Sequence, residues 1–468
     1  MNKNLLYRLY AAAFVGICLV PSALMPFFKG DSDKEKRDLA DVPSIKTEDG
    51  KLNFDFFSQF ETYFSEHFAL RQQLVTADGR IKAALLGTSP NSDVIVGKDG
   101  WLYYGDTADD FLNINTLSRR GINNICNNIE LVNRYCEQNG AKFIFTVAPN
   151  KSSVYPEYMP FNYVEADNKD NYEMLSETLE GTPYWCDMKA ALMDATASIP
   201  LYHKTDTHWN NLGAYVGHVT LMDMLGKESC PAGTGWFTRN DRLGDLAAMI
   251  YPAEDAKDTQ VYNDYEYTYS YQGRFRALDD INIKTVCAEK DGSLLMFRDS
   301  YGEAILPYMA ESFGSAEFSR SVPYRLDTAA GKSVILEIVE RNIGNLQKYA
   351  PVMPAPQTDT DGIKPQLHTG EGVTVKIEEN GQYSHIFGAL PDDFFSSDST
   401  RIVVTVGDTS YEAFNCFEDK LLGCEGESSD NGFSLYIPKS DALEADDIII
   451  TAISSDGRAV ANKQNKEK

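Results

Sequence analysis

The sequence predicts an α/β body, with a parallel sheet covered by helices on both faces. An N-terminal transmembrane helix precedes it, and a small all-β, sandwich-like domain follows. Three observations carry that reading. Short apolar runs rich in strand formers, Lys142–Ala148, Ser293–Phe297 and Ser333–Val339, alternate with helical patterns. The proline-rich tract at residues 350–356 then breaks the alternation. Beyond it, strand-like runs recur at residues 373–377, 401–406, 433–437 and 447–453, with turn signals and no convincing helix between them.

Taken in order, Lys3 and Arg8 precede an uncharged apolar run over residues 9–28. About 20 such residues span a bilayer, and the positive flank puts the N-terminus inside. The rivals are a cleaved signal peptide, with Pro21-Ser22-Ala23 as a weak processing region, and a buried helix. On the first two readings the body is exported, membrane-anchored or secreted. Residues 31–49 are charged and polar and read as a linker. Phe57, Phe60, Phe64 and Phe68 then recur at helical spacing, which predicts one apolar face packed on a core. Residues 94–104, with Gly97, Gly100 and Gly105 nearby, read as a hairpin. Ile122, Ile125, Ile129 and Val132 mark a helix that ends near Gly140. Lys142–Ala148 leads into Pro149-Asn150-Lys151, and Asn211–Leu225 reads as a further helix. Ser293–Phe297 runs into Arg298-Asp299-Ser300-Tyr301-Gly302 and another helical stretch. In such a sheet, ligands sit at the carboxyl ends of the strands. The divisions expected are an anchor at 1–29, linkers at 30–50 and 351–364, a body at 51–350 and a β-domain at 365–468. No internal repeat is evident.

Composition narrows the function. In 468 residues, 43 Lys and Arg face 69 Asp and Glu, a formal charge of −26. Nucleic acid is excluded as a partner, because phosphate binding needs clustered cations. With 12% aromatic residues the chain builds a core, so the acidity does not mean disorder. Eight cysteines are too few for a disulfide framework. Cys18 lies in the apolar segment, and Cys126 and Cys136 read as small buried helix residues. Cys416 and Cys424 are candidates to bridge a hairpin. No Cys-x-x-Cys pair exists to suggest a zinc ribbon.

Asp206 and His208 lie two apart in Lys204-Thr205-Asp206-Thr207-His208-Trp209-Asn210. In extended chain both project from one side, and a carboxylate there can orient an imidazole. A surface loop, a helix start capped by Asn210, and a metal site are the rivals. Ser300 follows an apolar strand in a turn that opens a helix, the logic of a nucleophile elbow without its G-x-S-x-G. Its rival is a helix N-cap. Together the three residues supply orienter, base and nucleophile. His67, His203, His218, His368 and His385 have no comparable context.

Several separated pieces share one order. Phe60-Glu61-Thr62-Tyr63-Phe64 leads to Phe68 and Arg71. Asp99-Gly100-Trp101-Leu102-Tyr103-Tyr104 and Ala148-Pro149-Asn150-Lys151 come after it. Tyr155-Pro156-Glu157 and the most specific piece, Thr205-Asp206-Thr207-His208-Trp209-Asn210, are next. Arg298-Asp299-Ser300-Tyr301 and Glu337-Ile338-Val339-Glu340-Arg341-Asn342 complete it. Over residues 50–350 the chain thus resembles the SGNH-hydrolase-like polysaccharide O-acetyltransferases of the alginate type (AlgX/AlgJ), and especially their Gram-positive relatives, the DHHW-type proteins.

The resemblance implies a triad of Asp206, His208 and Ser300, an acetyl-serine intermediate, and transfer to a polysaccharide hydroxyl. It implies a membrane-bound O-acyltransferase as acetyl donor; neither a cofactor nor a metal is expected. One departure stands out: the usual small residue two before the serine is Arg298. Backbone N–H groups near Ser300 and Tyr301 are the expected oxyanion donors. Around them, Asn150, Lys151, Trp209, Arg298, Tyr301 and Arg341 are candidate substrate-binding residues, each with a structural alternative. The rival functions are a carbohydrate acetyl esterase and a non-catalytic glycan-binding or assembly protein. The charge of −26 favours a neutral or cationic glycan over a polyuronate, unless local cations such as Arg298 and Arg341 override the net field.

Overall fold

The structure, a computed structural model, describes residues 3–27, 39–47, 49–195, 198–255, 257–423, 429–443 and 447–465. The central sheet has seven strands. Five are parallel, in the order Trp185–Cys186, Lys142–Ala148, Ser333–Val339, Ser293–Phe297, Ser315–Ser319. Asn282–Val286 and Ser270–Gln272 extend one edge antiparallel. The alternation of side chains explains the layers. Phe143, Phe145 and Val147 face the helices Arg119–Gln138 and Asn171–Leu179. Ile144 and Ala148 face Asn211–Leu225 and Gly302–Ser312. The three long parallel strands take the bounds the sequence predicts, because each is apolar on both faces.

Helix Arg119–Gln138 starts at Ser118, whose side chain accepts the Gly121 N–H, and gives way to Gly140 at φ +66. It is buried nearly all round, since the β-domain covers its outer side. Asn128 donates to the Asn415 carbonyl (2.8 Å) and accepts the Asn415 N–H (2.9 Å). Arg134 pairs with Glu412 at 2.9 Å. The proline-rich tract is part of this seam rather than a free connector. Ala350, Val352, Met353 and Ala355 are buried, and bridges join Val352 to Arg325 and Pro354 to Tyr436.

The β-domain is one eight-stranded sheet folded on itself. Its order is Gln366–Leu367, Ala459–Asn465, Asp447–Ser454, Thr400–Val406, Thr409–Cys416, Gly432–Pro438, Tyr383–Ala389, Thr374–Asn380. Thr409–Cys416 serves both halves. Its first residues pair with Thr400–Val406 and its last three with Gly432–Pro438. Ile402, Val404 and Ile450 of one half meet Ile386, Leu435 and Ile437 of the other, a sandwich-like core. Two short helices, Glu418–Leu422 and Lys439–Leu443, interrupt the strands. Cys416 is buried with a free thiol, and Cys424 lies outside the described residues.

At the other end, Lys3–Leu24 is helical, and its window Asn4–Pro21 is long and apolar enough to cross a membrane. Of the expected linker, residues 39–47 are described and form one bridge, Lys46 to Leu52; residues 31–38 lie outside the description. The expected hairpin forms from Val94–Val96 and Leu102–Tyr104. The phenylalanine stripe lies on a helix, Phe56–His67, but it is not a core face. None of that helix is buried, and Phe57 and Phe60 are exposed. Periodicity shows that one side is apolar; it does not supply a partner.

The two Asn128 bonds test the seam between body and β-domain. Asn128→Ala leaves the buried Asn415 amide and carbonyl unpaired, and should cost about 2 kcal/mol or more in urea unfolding. An unchanged midpoint would show that the seam does not rest on this pair.

Candidate active site

Ser300 sits at the carboxyl edge of the sheet, between strand Ser293–Phe297 and helix Gly302–Ser312. Asp299 shapes this turn. One of its carboxylate oxygens accepts the Tyr301 N–H (2.8 Å) and the other accepts the Val339 N–H (2.7 Å) at the end of the neighbouring strand. The serine is therefore tied to two strands at once.

The histidine arrives on a loop between residues 201 and 210. The loop closes through a bridge between Tyr202 and Trp209 and through the Asn210 N–H bond to the Leu201 carbonyl (2.8 Å). Asn210 then caps Asn211–Leu225 by accepting the Leu212 and Gly213 amides. Lys151, buried at the start of a short helix after Lys142–Ala148, donates to the carbonyls of His203 (3.1 Å), Lys204 (3.1 Å) and Asp206 (2.7 Å). Asp258 accepts the Thr205 amide and hydroxyl, and Asp245 accepts the Thr207 amide.

The three residues meet. Asp206 Oδ1 lies 2.8 Å from His208 Nδ1, and His208 Nε2 lies 2.9 Å from Ser300 Oγ. With Nδ1–H donating to the carboxylate, Nε2 is left to accept from the hydroxyl. Asp206 is fully buried. Burial would raise its pKa, but the His208 hydrogen bond and the charges of His208, Arg242 and His203 outweigh it, and the carboxyl lies well below the usual range. For His208, burial would lower the pKa; the hydrogen bond and charge of Asp206, with Asp245 behind it, turn the net shift upward.

A cleft of about 360 Å³ opens over this pair. Besides Thr207, His208 and Ser300, it is lined by Tyr104, Asp106, Asp245, Met249, Arg341 and Asn342. Of the six candidate substrate-binding residues, only Arg341 reaches it. Its guanidinium stands 5.3 Å from the Tyr104 ring centre and 5.8 Å from that of Tyr301, and its Nη1 is buried without a partner among the described residues.

The other five are interior. Lys151 has all three Nζ hydrogens engaged by carbonyls, and its burial lowers its pKa to about 8. Trp209 is buried, with its Nε1–H on the Tyr301 carbonyl (2.9 Å), so its faces are not open to a sugar. Tyr301 is buried and donates its hydroxyl to the Thr207 carbonyl (3.0 Å). Its amide is taken by Asp299, which removes one expected oxyanion donor. Asn150 is buried, with its amide on Glu340 (2.7 Å) and its Nδ2 on Asp110 (3.2 Å). Arg298 folds back under the turn and donates to the Asp299 and Leu278 carbonyls. A Cβ at Gly302 would stand 2.5 Å from the Arg298 stem, so the glycine makes room for the bulky residue at the elbow.

One feature has no sequence signal. Arg242, on the ribbon of Trp236–Leu243 and Lys257–Asn263, places Nε (2.9 Å) and Nη2 (2.8 Å) on Asp206 Oδ2. Asp206, His208 and Asp245 hold ligand-type atoms within 4.8 Å of one another. Both Asp206 oxygens already accept from protein donors, Oδ1 from His208 and Oδ2 from Arg242. That donor set suits a carboxylate holding an imidazole better than one holding a cation.

The chain is similar to known proteins. Residues 94–284 match the family model of the SGNH hydrolase-like domain of the acetyltransferase AlgX. A probable alginate O-acetylase AlgJ of Pseudomonas syringae pv. tomato is 25% identical over 212 residues, covering 44% of this chain and 49% of that protein. The chain thus spans about half the length of the curated relatives it matches. Two solved structures are also similar. A DHHW family protein from Eubacterium siraeum covers 54% of this chain and 96% of its own, at 19% identity and a TM-score of 0.40. The O-acetyltransferase domain of Pseudomonas putida AlgJ covers 54% and 93%, at 18% identity and 0.37. The similarity to the AlgX/AlgJ and DHHW proteins read from the motifs is thus found by direct comparison as well.

Arg242 offers a test of the site's electrostatics. Its charge opposes protonation of His208. Arg242→Ala should therefore raise the imidazole pKa, read by NMR titration of the ring. An imidazole that titrates as in the parent would mean that the Asp206 pair does not sense the arginine.

Proposed function

We propose that this chain is an extracytoplasmic O-acetyltransferase that moves acetyl groups onto hydroxyls of a cell-surface or secreted polysaccharide. The relay from Asp206 through His208 to Ser300, at the floor of an open cleft, carries the reading. The match to the AlgX domain and the likeness to AlgJ support the class of reaction.

In the first half-reaction His208 Nε2 takes the Ser300 proton as Oγ attacks the acetyl carbonyl carbon. The imidazolium then returns that proton to the donor's leaving oxygen, and Ser300 holds the acetyl ester. In the second half, His208 takes the proton of a sugar hydroxyl, whose oxygen attacks the ester. Ser300 leaves with the proton restored. Negative charge builds on the acetyl oxygen in both halves, and donors fixed in advance lower that barrier. Arg341 and Asn342, which line the cleft beside Ser300, are the side chains available to donate there.

The acceptor is most simply a neutral or cationic glycan. Asp106 and Asp245 flank the cleft and the chain carries −26, so a polyanion meets repulsion that Arg341 alone must offset. The acetyl donor in this scheme is a membrane-bound O-acyltransferase, and Lys3–Leu24 is the anchor that keeps the body beside it. The body divides as residues 51–350 for chemistry and 365–468 for an accessory β-domain. An esterase is the second reading. The His208 side chain is 21% exposed, so water reaches the acyl-enzyme.

Incubation with a chromogenic acetyl ester, with and without oligosaccharide, separates the readings. Acetylated sugar supports transfer, and free acetate alone supports the esterase. Ser300→Ala should lower turnover by about 10⁴-fold or more, and Asp206→Asn by a similar factor, through the wrong imidazole tautomer. Activity should rise with pH through a pKa above the ordinary imidazole value, because the base must be neutral and its pKa is raised. Full activity in Ser300→Ala would sink the catalytic reading.

A further inference from the structure

We infer that the consecutive helices Phe56–His67 and Arg71–Leu86 dock on a lipid bilayer surface, with their apolar side chains in the boundary between headgroups and acyl chains. The inference rests on the reading of Lys3–Leu24 as a membrane anchor.

Each helix carries an apolar stripe that the fold leaves uncovered. On the first, Phe57 and Phe60 are exposed, and Phe54 just before it is 93% exposed. The rings of Phe56, Phe60, Phe64 and Phe68 succeed one another at 6.0–6.4 Å, a continuous aromatic row. On the second, exposed Leu74, Ile81 and Leu85 are spaced seven and four apart, which is again one face. Single exposed apolar residues need no explanation, but a stripe on each of two helices joined by only three residues marks an interaction surface.

The position of the two helices selects their partner. The Ala69 amide, in the turn between the helices, donates to the Pro21 carbonyl at 3.3 Å. Pro21 closes the apolar window Asn4–Pro21. If that window spans a bilayer, the turn sits where the chain leaves it. The two helices, about 18 and 24 Å long at 1.5 Å per residue, then extend from that point with apolar faces uncovered. Phe and Leu are side chains that interfacial helices bury. Attraction to anionic lipid is not the source of binding, since the chain is strongly acidic. Burial of apolar area is.

The arrangement also fixes the cleft. A Cβ at Gly79 would lie 2.6 Å from the Ile250 carbonyl, and Arg80 stacks on Tyr251 at 3.9 Å. The second helix thus presses against Asp245–Ile250, whose first residue lines the cleft. Bound to the bilayer, the second helix would hold the candidate active site at a set height over the membrane, where a membrane-embedded donor presents its acetyl group.

Tryptophan reporters test this in the full chain, reconstituted in phosphatidylcholine vesicles containing lipid brominated near the headgroup. The Phe57→Trp and Leu85→Trp reporters should shift to shorter wavelength and lose emission as the brominated fraction rises. Leu367→Trp, exposed on the β-domain, should do neither. Flotation of the parent with vesicles checks the anchor separately. A chain that does not float overturns both readings. A chain that floats, with both helix reporters unquenched, overturns the helices' role alone. A wavelength shift without bromine quenching that fades on dilution would assign the surface to a second copy and also overturn it. Quenching of all three reporters alike would mean indiscriminate adsorption and sink the inference as well.

Discussion

The buried negative charge of Asp206 is the constraint that organises this molecule. A carboxylate taken wholly out of water costs several kcal/mol unless charged or polar donors replace its hydration. Three donor groups do so here: the amide and ring of His208, and the guanidinium of Arg242. They hold only if the loop that carries Asp206 and His208 has one shape. Lys151 fixes it by filling three carbonyls, Asp258 and Asp245 by accepting two amides, and Tyr301 by donating to the Thr207 carbonyl. Those residues come from the first long strand's exit, the outer ribbon, a short helix and the turn that bears Ser300. The charge is thereby satisfied only when separate parts of the chain are in place together.

The sheet explains how they meet. Lys142–Ala148, Ser333–Val339 and Ser293–Phe297 are neighbours and parallel, so the residues that leave their carboxyl ends share one edge. Lys151, the Arg341–Asn342 pair and Ser300 leave the three strands in that way. Asp299 joins the last two exits by bonding Val339 and Tyr301 with one carboxylate. Beneath the edge lies a second buried carboxyl, Glu340, which accepts the Asn150 amide and the Ser153 hydroxyl. Burial pushes it up to about 7, against the charge of Lys189 and the Asn150 hydrogen bond. It braces the strand exits and does not reach the cleft.

Periodicity and residue type encode some features of this fold and not others. Strands apolar on both faces have sharp ends, and Asn211–Leu225 is bracketed by the Asn210 cap and by Gly226 at φ +68. The meeting of Asp206, His208 and Ser300 is legible because the first two are two apart and Ser300 comes just after a buried strand. The direction of a side chain is not. Lys151, Trp209, Tyr301, Asn150 and Arg298 stand beside the site in sequence yet point inward, because the loop and turn need their hydrogen bonds more than the cleft does. Arg242 lies on a ribbon of mostly exposed residues, and Asp245 opens a six-residue helix whose apolar Leu246, Ala247 and Ile250 report burial but not what its acidic first residue faces. Only the fold brings them to Asp206 and His208. The phenylalanine stripe fails differently: its spacing correctly reports a one-sided helix, but says nothing of what covers it.

In the proposed reaction, water is the standing competitor. The cleft is open and the imidazole is partly solvated, so transfer cannot be secured by excluding water. It must be secured by orientation. A sugar hydroxyl held against His208 and the acyl carbon gains the advantage of an intramolecular reactant, about 10⁵ M or more in effective concentration for a well-aligned pair. The lining suits that task. Asp106 offers an acceptor, Asn342 both donor and acceptor, and Tyr104 an aromatic face beside a hydroxyl, all within one cleft with Ser300. A bound glycan would also displace water from the imidazole it covers. Whether the proposed reaction ends in transfer or in hydrolysis is thus set less by Asp206, His208 and Ser300, which both outcomes would share, than by how firmly these side chains seat the acceptor.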